Sequence, residues 1–156
     1  MQEKAKKILV FQSDFGLVDG AVAAMYGVAL AIDPTLRLYN LTHDITPYNV
    51  FEASYRLFQS VEYWVEGTVF VSVVDPGVGS DRKSVVAKTS AGQYIVTPDN
   101  GTLTHIKRFI GIDAVREIAH DPHHAGQIVS EHIHEHREHV HTDYQHIYIP
   151  KQRPDV

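Results

Sequence analysis

The sequence has no cysteine among its 156 residues. That absence excludes a disulfide framework and thiolate chemistry, and it fits a reducing compartment. No apolar run is long enough to span a bilayer, and residues 1–7 run into a short apolar strand without the apolar core of a signal peptide. We therefore expect a cytoplasmic protein that makes no membrane contact.

A basic surface is missing as well. The formal net charge is −5 with neutral histidines, and no basic patch dominates, which argues against general nucleic-acid binding. Three catalytic or phosphate-binding patterns are also absent: Gly-x-x-x-x-Gly-Lys, Gly-x-Gly-x-x-Gly and Gly-x-Ser-x-Gly. The chemistry of the chain therefore has to come from another arrangement of residues.

The composition that remains is typical of a globular protein, with one sharp internal change. Apolar residues make up 44% of the chain and charged residues 21%, enough for one domain with a substantial core. Nine of the eleven histidines lie between His120 and His146. We therefore divide the chain into an α/β domain over residues 1–118 and a histidine-rich tail over residues 119–156.

Apolar runs alternate with helical patterns along the first part of the chain. The helical patterns cover 21–32, which is alanine-rich and expected to be buried, 50–63, which is amphipathic, and 102–109. The runs that favour strands cover 8–11, 36–41, 68–74, 85–88, 94–96 and 114–118. This alternation predicts an α/β fold with a mostly parallel sheet covered by helices.

Three acid-bearing loops follow the first three strands of this pattern. The first loop carries Asp14 and Asp19, the second His43 and Asp44, and the third Asp75. Right-handed crossovers place all three loops at one edge of the sheet, where open α/β folds bind their ligands. The sequence therefore predicts a site at this edge.

Asp75 is expected at the border of the ligand-binding crevice at this edge of the sheet, because it directly follows a buried strand. Arg82 comes seven residues later, close enough for the loop with Gly77 and Gly79 to fold it back. A cation beside a carboxylate favours the ionised form. The alternative is a strand-to-loop turn with a surface ion pair.

The other candidates have both a ligand-binding and a structural interpretation. Asp14 and Asp19 can accept bonds from ribose hydroxyls, or they form an Asx turn and a helix N-cap. Tyr48 offers a flat wall to a ring or a sulfonium, or it packs half-buried. Asn100 offers a donor and an acceptor to a ligand, or it belongs to an ordinary turn. His43 is expected to be structural and to hydrogen-bond a neighbouring loop.

A metal-dependent alternative is also open. Asp14, Asp19, Asp75 and Asp99 could hold a divalent cation and hydrolyse phosphorylated nucleosides, although no spacing here matches a known metal loop. A non-catalytic module that binds ligand or metal is a further alternative.

Four motifs in order resemble one family. They are Ser13-Asp14-Phe15-Gly16 with Asp19-Gly20, then residues 41–47, residues 73–79 and Pro98-Asp99-Asn100-Gly101. Together they look like the S-adenosylmethionine (SAM) hydroxide adenosyltransferases, or SAM hydrolases, which are relatives of the SAM-dependent fluorinase and chlorinase. The resemblance covers roughly residues 7–118.

The resemblance implies that water or hydroxide attacks the 5′ carbon of SAM and that methionine leaves. SAM is then the substrate, and no cofactor is implied. Asp75 and Arg82 match the acid and arginine of the family's water-activating Asp-Arg-His set, and Asp75 with Val78 favours water over halide. Asp14 resembles the ribose-binding acid, while Asp19 and Tyr48 match positions on the ribose and methionine side of the pocket.

The sequence departs from the family after residue 118. The family's Phe-His-Gly-Arg-Asp motif and its C-terminal β-barrel are absent from the 156 residues. Family sites lie between the N-terminal domain of one subunit and the C-terminal domain of its neighbour in a homotrimer, so a chain ending at Val156 is expected to carry half a site.

The histidine-rich tail has three interpretations. It is a truncated or frame-shifted end, a solvated polar segment, or a metal-binding segment. In the last case His132, His134 and His136 would alternate along one face of a strand, and His132 with His136 would share a helix face. Imidazoles suit zinc, copper or nickel.

Overall fold

The structure is a computed structural model that describes residues 7–118. Its centre is a six-stranded sheet with the spatial order β2-β1-β3-β5-β4-β6. The strands are β1 (Ile8–Ser13), β2 (Arg37–Thr42), β3 (Val69–Val73), β4 (Ser84–Thr89), β5 (Tyr94–Pro98) and β6 (Ile112–Glu117). The α/β fold with a mostly parallel sheet, predicted from the alternation of patterns, is confirmed.

The pairing of the strands fixes which loops share an edge. β1 pairs in parallel with β2 and β3, and β3 pairs in parallel with β5. β4 is antiparallel to both β5 and β6. The loops that follow β1, β2, β3 and β5 therefore all leave the sheet at the same edge, and β4 starts there.

Helices cover both faces of the sheet. α1 (Ala21–Ile32) packs on one face, where Ala29 joins Leu9, Phe11 and Val69 in a buried cluster. α2 (Val50–Ser60) and α3 (Thr104–Phe109) cover the other face. The core on that side is formed by Val10, Leu57, Val61, Phe70, Ile95 and Ile106.

The predicted apolar face of α2 is confirmed, but the helix ends earlier than expected. Ala53, Leu57 and Val61 are fully buried. The α-helix stops at Ser60, whose φ of −122° leaves the helical region, and residues Val61–Tyr63 continue as a 3₁₀ turn. α3 begins at Thr104 rather than at Thr102, because Thr102 is bonded to Asn100 in the preceding turn.

The prediction that α1 is a buried helix is wrong for most of its surface. Only Val22 and Ala29 are buried, while Val28 is 56% exposed and Leu30 is 39% exposed. Within residues 7–118 α1 has the sheet on one side only, so one stripe of the helix is covered. An apolar composition therefore did not imply burial on all sides.

Within residues 7–118 no helix has the length and apolar character needed to cross a bilayer.

An ion pair connects the start of β1 with the end of α1. Lys7 Nζ lies 2.6 Å from Asp33 Oδ2, and Thr35 donates to Asp33 Oδ1 from its backbone N–H at 2.9 Å. The bond from Lys7, followed by those from Thr35, holds the pKa of Asp33 well below its ordinary value. A carboxyl with a depressed pKa contributes stability that is present above the unfolded-state pKa and is lost as the pH falls through the folded-state pKa.

We therefore expect Asp33→Asn to lower the free energy of unfolding at pH 7 and to matter less below about pH 4, near the ordinary pKa of aspartate. Urea unfolding of the parent and the variant at pH 7 and pH 3 measures this. Asp44→Asn, which changes an exposed carboxylate, serves as the control. An equal deficit for Asp33→Asn at both pH values would contradict the expectation.

Candidate active site

The expected convergence of the loops at one edge of the sheet is confirmed. The loops after β1, β2 and β3 meet at the carboxyl ends of these parallel strands, as their pairing requires. A fourth loop joins them, because β5 is parallel to β3 and ends at Pro98. Asp14, His43, Asp75 and Asn100 are therefore all placed at this edge.

Asp75 and Arg82 form a bidentate ion pair. Arg82 Nε donates to Asp75 Oδ1, and Arg82 Nη2 contacts Asp75 Oδ2. The Gly77 N–H also donates to Asp75 Oδ1, at 3.1 Å. The side chain of Asp75 is 12% exposed and that of Arg82 is 20% exposed, so this pair is screened far less than a surface pair. Arg82 folds back on the loop as the sequence predicted.

Gly77 packs closely against the Arg82 side chain. A Cβ atom at residue 77 would lie 3.3 Å from Arg82 Cδ and 3.4 Å from Arg82 Nε. A side chain there would make the Arg82 side chain shift by a few tenths of an ångström. A carboxylate has about four lone-pair sites, and three are taken by Arg82 and Gly77. One site on Oδ2 remains for another donor, such as a water molecule.

Asn100 braces the backbone just before Asp75. Its Nδ2 donates to the Val74 carbonyl at 2.9 Å, and its Oδ1 accepts from the Thr102 hydroxyl at 2.7 Å. The amide therefore already has structural partners on both of its ends. One N–H of Nδ2 is left for a ligand, so a direct role of Asn100 in binding stays a prediction.

Asp14 and Tyr48 join the first loop to the second. Asp14 Oδ2 accepts from the Tyr48 N–H at 2.7 Å. Tyr48 has a φ of 64°, in the left-handed region that is unfavourable for a bulky side chain. Tyr48 is 67% exposed, so half-buried packing is not what holds it. The hydrogen bond that its N–H donates to Asp14 helps to hold this backbone conformation and leaves the ring accessible to a ligand.

Asp19 lies one residue before the N-cap of α1, which is Gly20 and has no side-chain cap bond, so the alternative that Asp19 is the N-cap is wrong. Its Oδ1 accepts from the Ala21 N–H at 2.9 Å, two residues along the chain, as in an Asx turn. The residue is exposed at the same edge as Asp14. A second role toward a ligand through Oδ2 stays a prediction.

The four carboxylates proposed as a cation site are not assembled into one. Within residues 7–118 no three histidine or acidic side chains lie close enough to hold an ion together. Three of the four carboxylates are bonded separately: Asp14 to Tyr48, Asp19 to Ala21 and Asp75 to Arg82. The alternative of a metal-dependent hydrolase is therefore unsupported. The candidate ligands His132, His134 and His136 lie outside the described residues.

His43 hydrogen-bonds a neighbouring loop, as expected. It is 5% exposed, and its Nδ1 lies 2.7 Å from Ser13 Oγ in the first loop. Burial lowers its pKa. The sequence analysis missed its partners Ser13 and Asn40, and also Tyr26, whose hydroxyl donates to Asn40 Oδ1. Their polar character inside or beside apolar segments was the only available signal.

The comparisons with known proteins identify the family of the chain. The family model for the SAM hydroxide adenosyltransferase N-terminal domain matches residues 9–142. The chain belongs to this family. The match continues past residue 118, where the motif-based resemblance ended.

The curated relatives include proteins named hydrolases and proteins named fluorinases. The (R)-S-adenosyl-L-methionine hydrolase of Methanocaldococcus jannaschii is 35% identical over 122 residues, which cover 76% of this chain and 46% of that protein. A fluorinase from Actinoplanes sp. is 27% identical over 128 residues, which cover 68% of this chain and 43% of that protein. The chain thus spans a little under half the length of the curated relatives it matches.

A solved structure has the same fold. The crystal structure of an uncharacterized conserved protein from Thermotoga maritima matches with a TM-score of 0.70 at 39% identity. The match covers 71% of this chain and 43% of that protein.

Proposed function

We propose that the chain supplies the N-terminal part of a site that hydrolyses S-adenosyl-L-methionine to adenosine and L-methionine. Water attacks the 5′ carbon, the carbon–sulfur bond breaks, and the bonding electrons leave with the thioether of methionine. One proton is released, so atoms and charge balance. The Asp75–Arg82 pair at the converging loops is the observation that carries this proposal.

Asp75 acts on the water in this mechanism. Its free lone pair on Oδ2 accepts a hydrogen bond from the water and directs the water's own lone pair toward the 5′ carbon. Arg82 keeps the carboxylate ionised and stabilises charge that develops on the oxygen. The sulfonium is already a good leaving group, so much of the acceleration comes from holding nucleophile and carbon in line.

Asp14 and Tyr48 hold the substrate. The remaining lone pairs of Asp14 accept bonds from the vicinal hydroxyls of the ribose, and the exposed Tyr48 ring lies flat against the substrate near the sulfonium. Asp19 adds a second carboxylate on the same side. The relatives named hydrolases specify the (R) configuration, and we propose the same sulfonium epimer as the substrate here.

Other parts of the site come from outside the described residues. Within residues 7–118 the two histidines are bonded elsewhere, His43 to Ser13 and His105 to Ser54 at 2.8 Å. Neither completes the Asp75–Arg82 pair. We propose that a homotrimer supplies the remaining groups, with residues 1–118 as its N-terminal domain and no cofactor. The cytoplasmic location stays a prediction.

Isotope labelling tests the reaction. The chain is incubated with (R)-SAM in ¹⁸O-labelled water, and the products are separated by chromatography and weighed by mass spectrometry. Attack at the 5′ carbon gives equal amounts of methionine and of adenosine that carries one ¹⁸O atom. A folded chain that releases no adenosine and binds neither SAM nor adenosine in calorimetry would contradict the proposal.

The role of Asp14 can be tested by binding alone. We expect Asp14→Asn to weaken adenosine binding about 10- to 100-fold, because a charge-assisted bond is worth roughly 1.5–3 kcal/mol. Calorimetry measures the dissociation constant. The matched control is Asp44→Asn, which neutralises an exposed carboxylate after β2 and is expected to change binding less than about twofold. Equal effects of both variants would remove Asp14 from the site.

A further inference from the structure

His43 is connected to both sides of Asp14. Its Nδ1 lies 2.7 Å from Ser13 Oγ, and its carbonyl accepts from the Gly16 N–H at 2.8 Å. Ser13 Oγ in turn accepts from the Phe15 N–H at 3.3 Å. Ser13, just before Asp14, is thus bonded to the buried imidazole, and Gly16, two residues after Asp14, is bonded to the backbone of the same histidine.

The hydrogen-bond pattern defines the tautomer of His43. Asn40 Oδ1 accepts from the Tyr26 hydroxyl and lies 2.9 Å from His43 Nε2, so Nε2 carries the ring hydrogen. Nδ1 then has a free lone pair, and Ser13 donates its hydroxyl hydrogen to it. The lowered pKa of His43, which is caused by burial, favours this neutral ring.

The network continues from Asp14 to Tyr48. Asp14 Oδ2 accepts from the Tyr48 N–H at 2.7 Å and so supports a left-handed backbone at φ 64°. A strained conformation persists only when its surroundings hold it. A shift of residues 13–16 would therefore displace the Asp14 carboxylate and release the Tyr48 backbone together.

We propose that His43 is a positioning residue for substrate binding: its Nδ1 lone pair holds Ser13, and through Ser13 it sets the Asp14 carboxylate and the Tyr48 ring. The ligand side of this inference rests on the proposed function, whereas the coupling between the loops does not. Asn40, the partner of His43 Nε2, fixes the tautomer of the ring, and the Tyr26 hydroxyl on α1 donates a hydrogen bond to Asn40.

Two substitutions of similar size separate positioning from a merely structural role. In His43→Asn the amide oxygen lies near the former Nδ1, so the acceptor for Ser13 is retained and the bond to Asn40 is lost. In His43→Gln the amide reaches the former Nε2, so the bond to Asn40 is retained and the acceptor for Ser13 is lost. Both side chains are neutral, and a purely structural role predicts similar losses for the two.

Amide hydrogen exchange measured by NMR on the unliganded chain is the first readout. We expect exchange of the Gly16 and Tyr48 amides to be about tenfold faster in His43→Gln and to change less than about twofold in His43→Asn. The second readout is (R)-SAM binding and turnover. His43→Gln is expected to raise KM about tenfold and to leave kcat within about threefold of the parent, while His43→Asn stays close to the parent in both.

The two readouts distinguish the possible failures. Equal exchange rates and equal KM values in the two variants overturn the positioning role, and the proposed function then still stands if the parent turns over SAM. A parent chain that binds no SAM overturns the proposed function. In that case the exchange of the Tyr48 amide alone decides whether His43 couples the loops.

Discussion

Asp75→Asn is expected to lower the rate of adenosine formation by a factor of about 10² to 10⁴, the range typical of a lost general base. Asparagine has nearly the same shape, and its oxygen still accepts from Gly77 and Arg82. Its amide group carries no charge, however, and presents hydrogens where Oδ2 offered a lone pair. The variant therefore cannot orient the water, and Arg82 loses its counter-charge. Single-turnover chromatography at saturating SAM measures the rate.

Asp81→Asn is the matched control for this loss. Asp81 lies in the same loop, is exposed and undergoes the same chemical change. We expect its rate to stay within about twofold of the parent, because exposed charges contribute little. Asp75→Asn should also keep its affinity for SAM, since Asp14 and Tyr48 are unchanged. Retention of more than about a tenth of the parent rate by Asp75→Asn would remove Asp75 from the role of water-activating residue.

The meeting of the loops that carry the candidate site could be predicted, because it depends on the order of the elements. The apolar runs 8–11, 36–41 and 68–74 correspond to strands β1, β2 and β3, and each strand is followed by a loop that carries polar side chains. Parallel strands joined by right-handed crossovers bring such loops to one edge whatever the details of packing. The pairing of Asp75 with Arg82 was also accessible, because the two are only seven residues apart in a glycine-containing loop.

The distribution of hydrogen bonds within the site could not be predicted in the same way. Asn100 bonds the Val74 carbonyl 26 residues earlier, and Asp14 bonds the Tyr48 amide 34 residues later. Which polar group finds a partner within the chain depends on tertiary positions that periodicity does not encode. The same limit applies to α1, because an alanine-rich sequence does not reveal how many sides of a helix are covered.

Phe70→Ala is expected to destabilise the fold by about 3–5 kcal/mol, the usual cost of removing a buried phenylalanine ring. Phe70 is 1% exposed, lies on the central strand β3 and packs edge-to-face against Trp64 with ring centroids 6.0 Å apart. Its removal leaves a cavity between the sheet and α2, lined by Val10 and Leu57 of the same cluster. Against a total stability of about 5–15 kcal/mol, the loss unfolds a substantial fraction of a marginal domain.

The matched control removes the same side chain from the surface. Phe51 on α2 is 72% exposed and touches the His105 ring at a centroid distance of 5.0 Å, so Phe51→Ala is expected to cost about 1 kcal/mol or less. Urea unfolding followed by circular dichroism gives both free energies. Because β3 ends immediately before the loop that holds Asp75, Phe70→Ala should lose adenosine formation in proportion to the fraction unfolded, whereas Phe51→Ala should keep it. Similar unfolding free energies for the two variants would show that the α2 side of the sheet is not the main core.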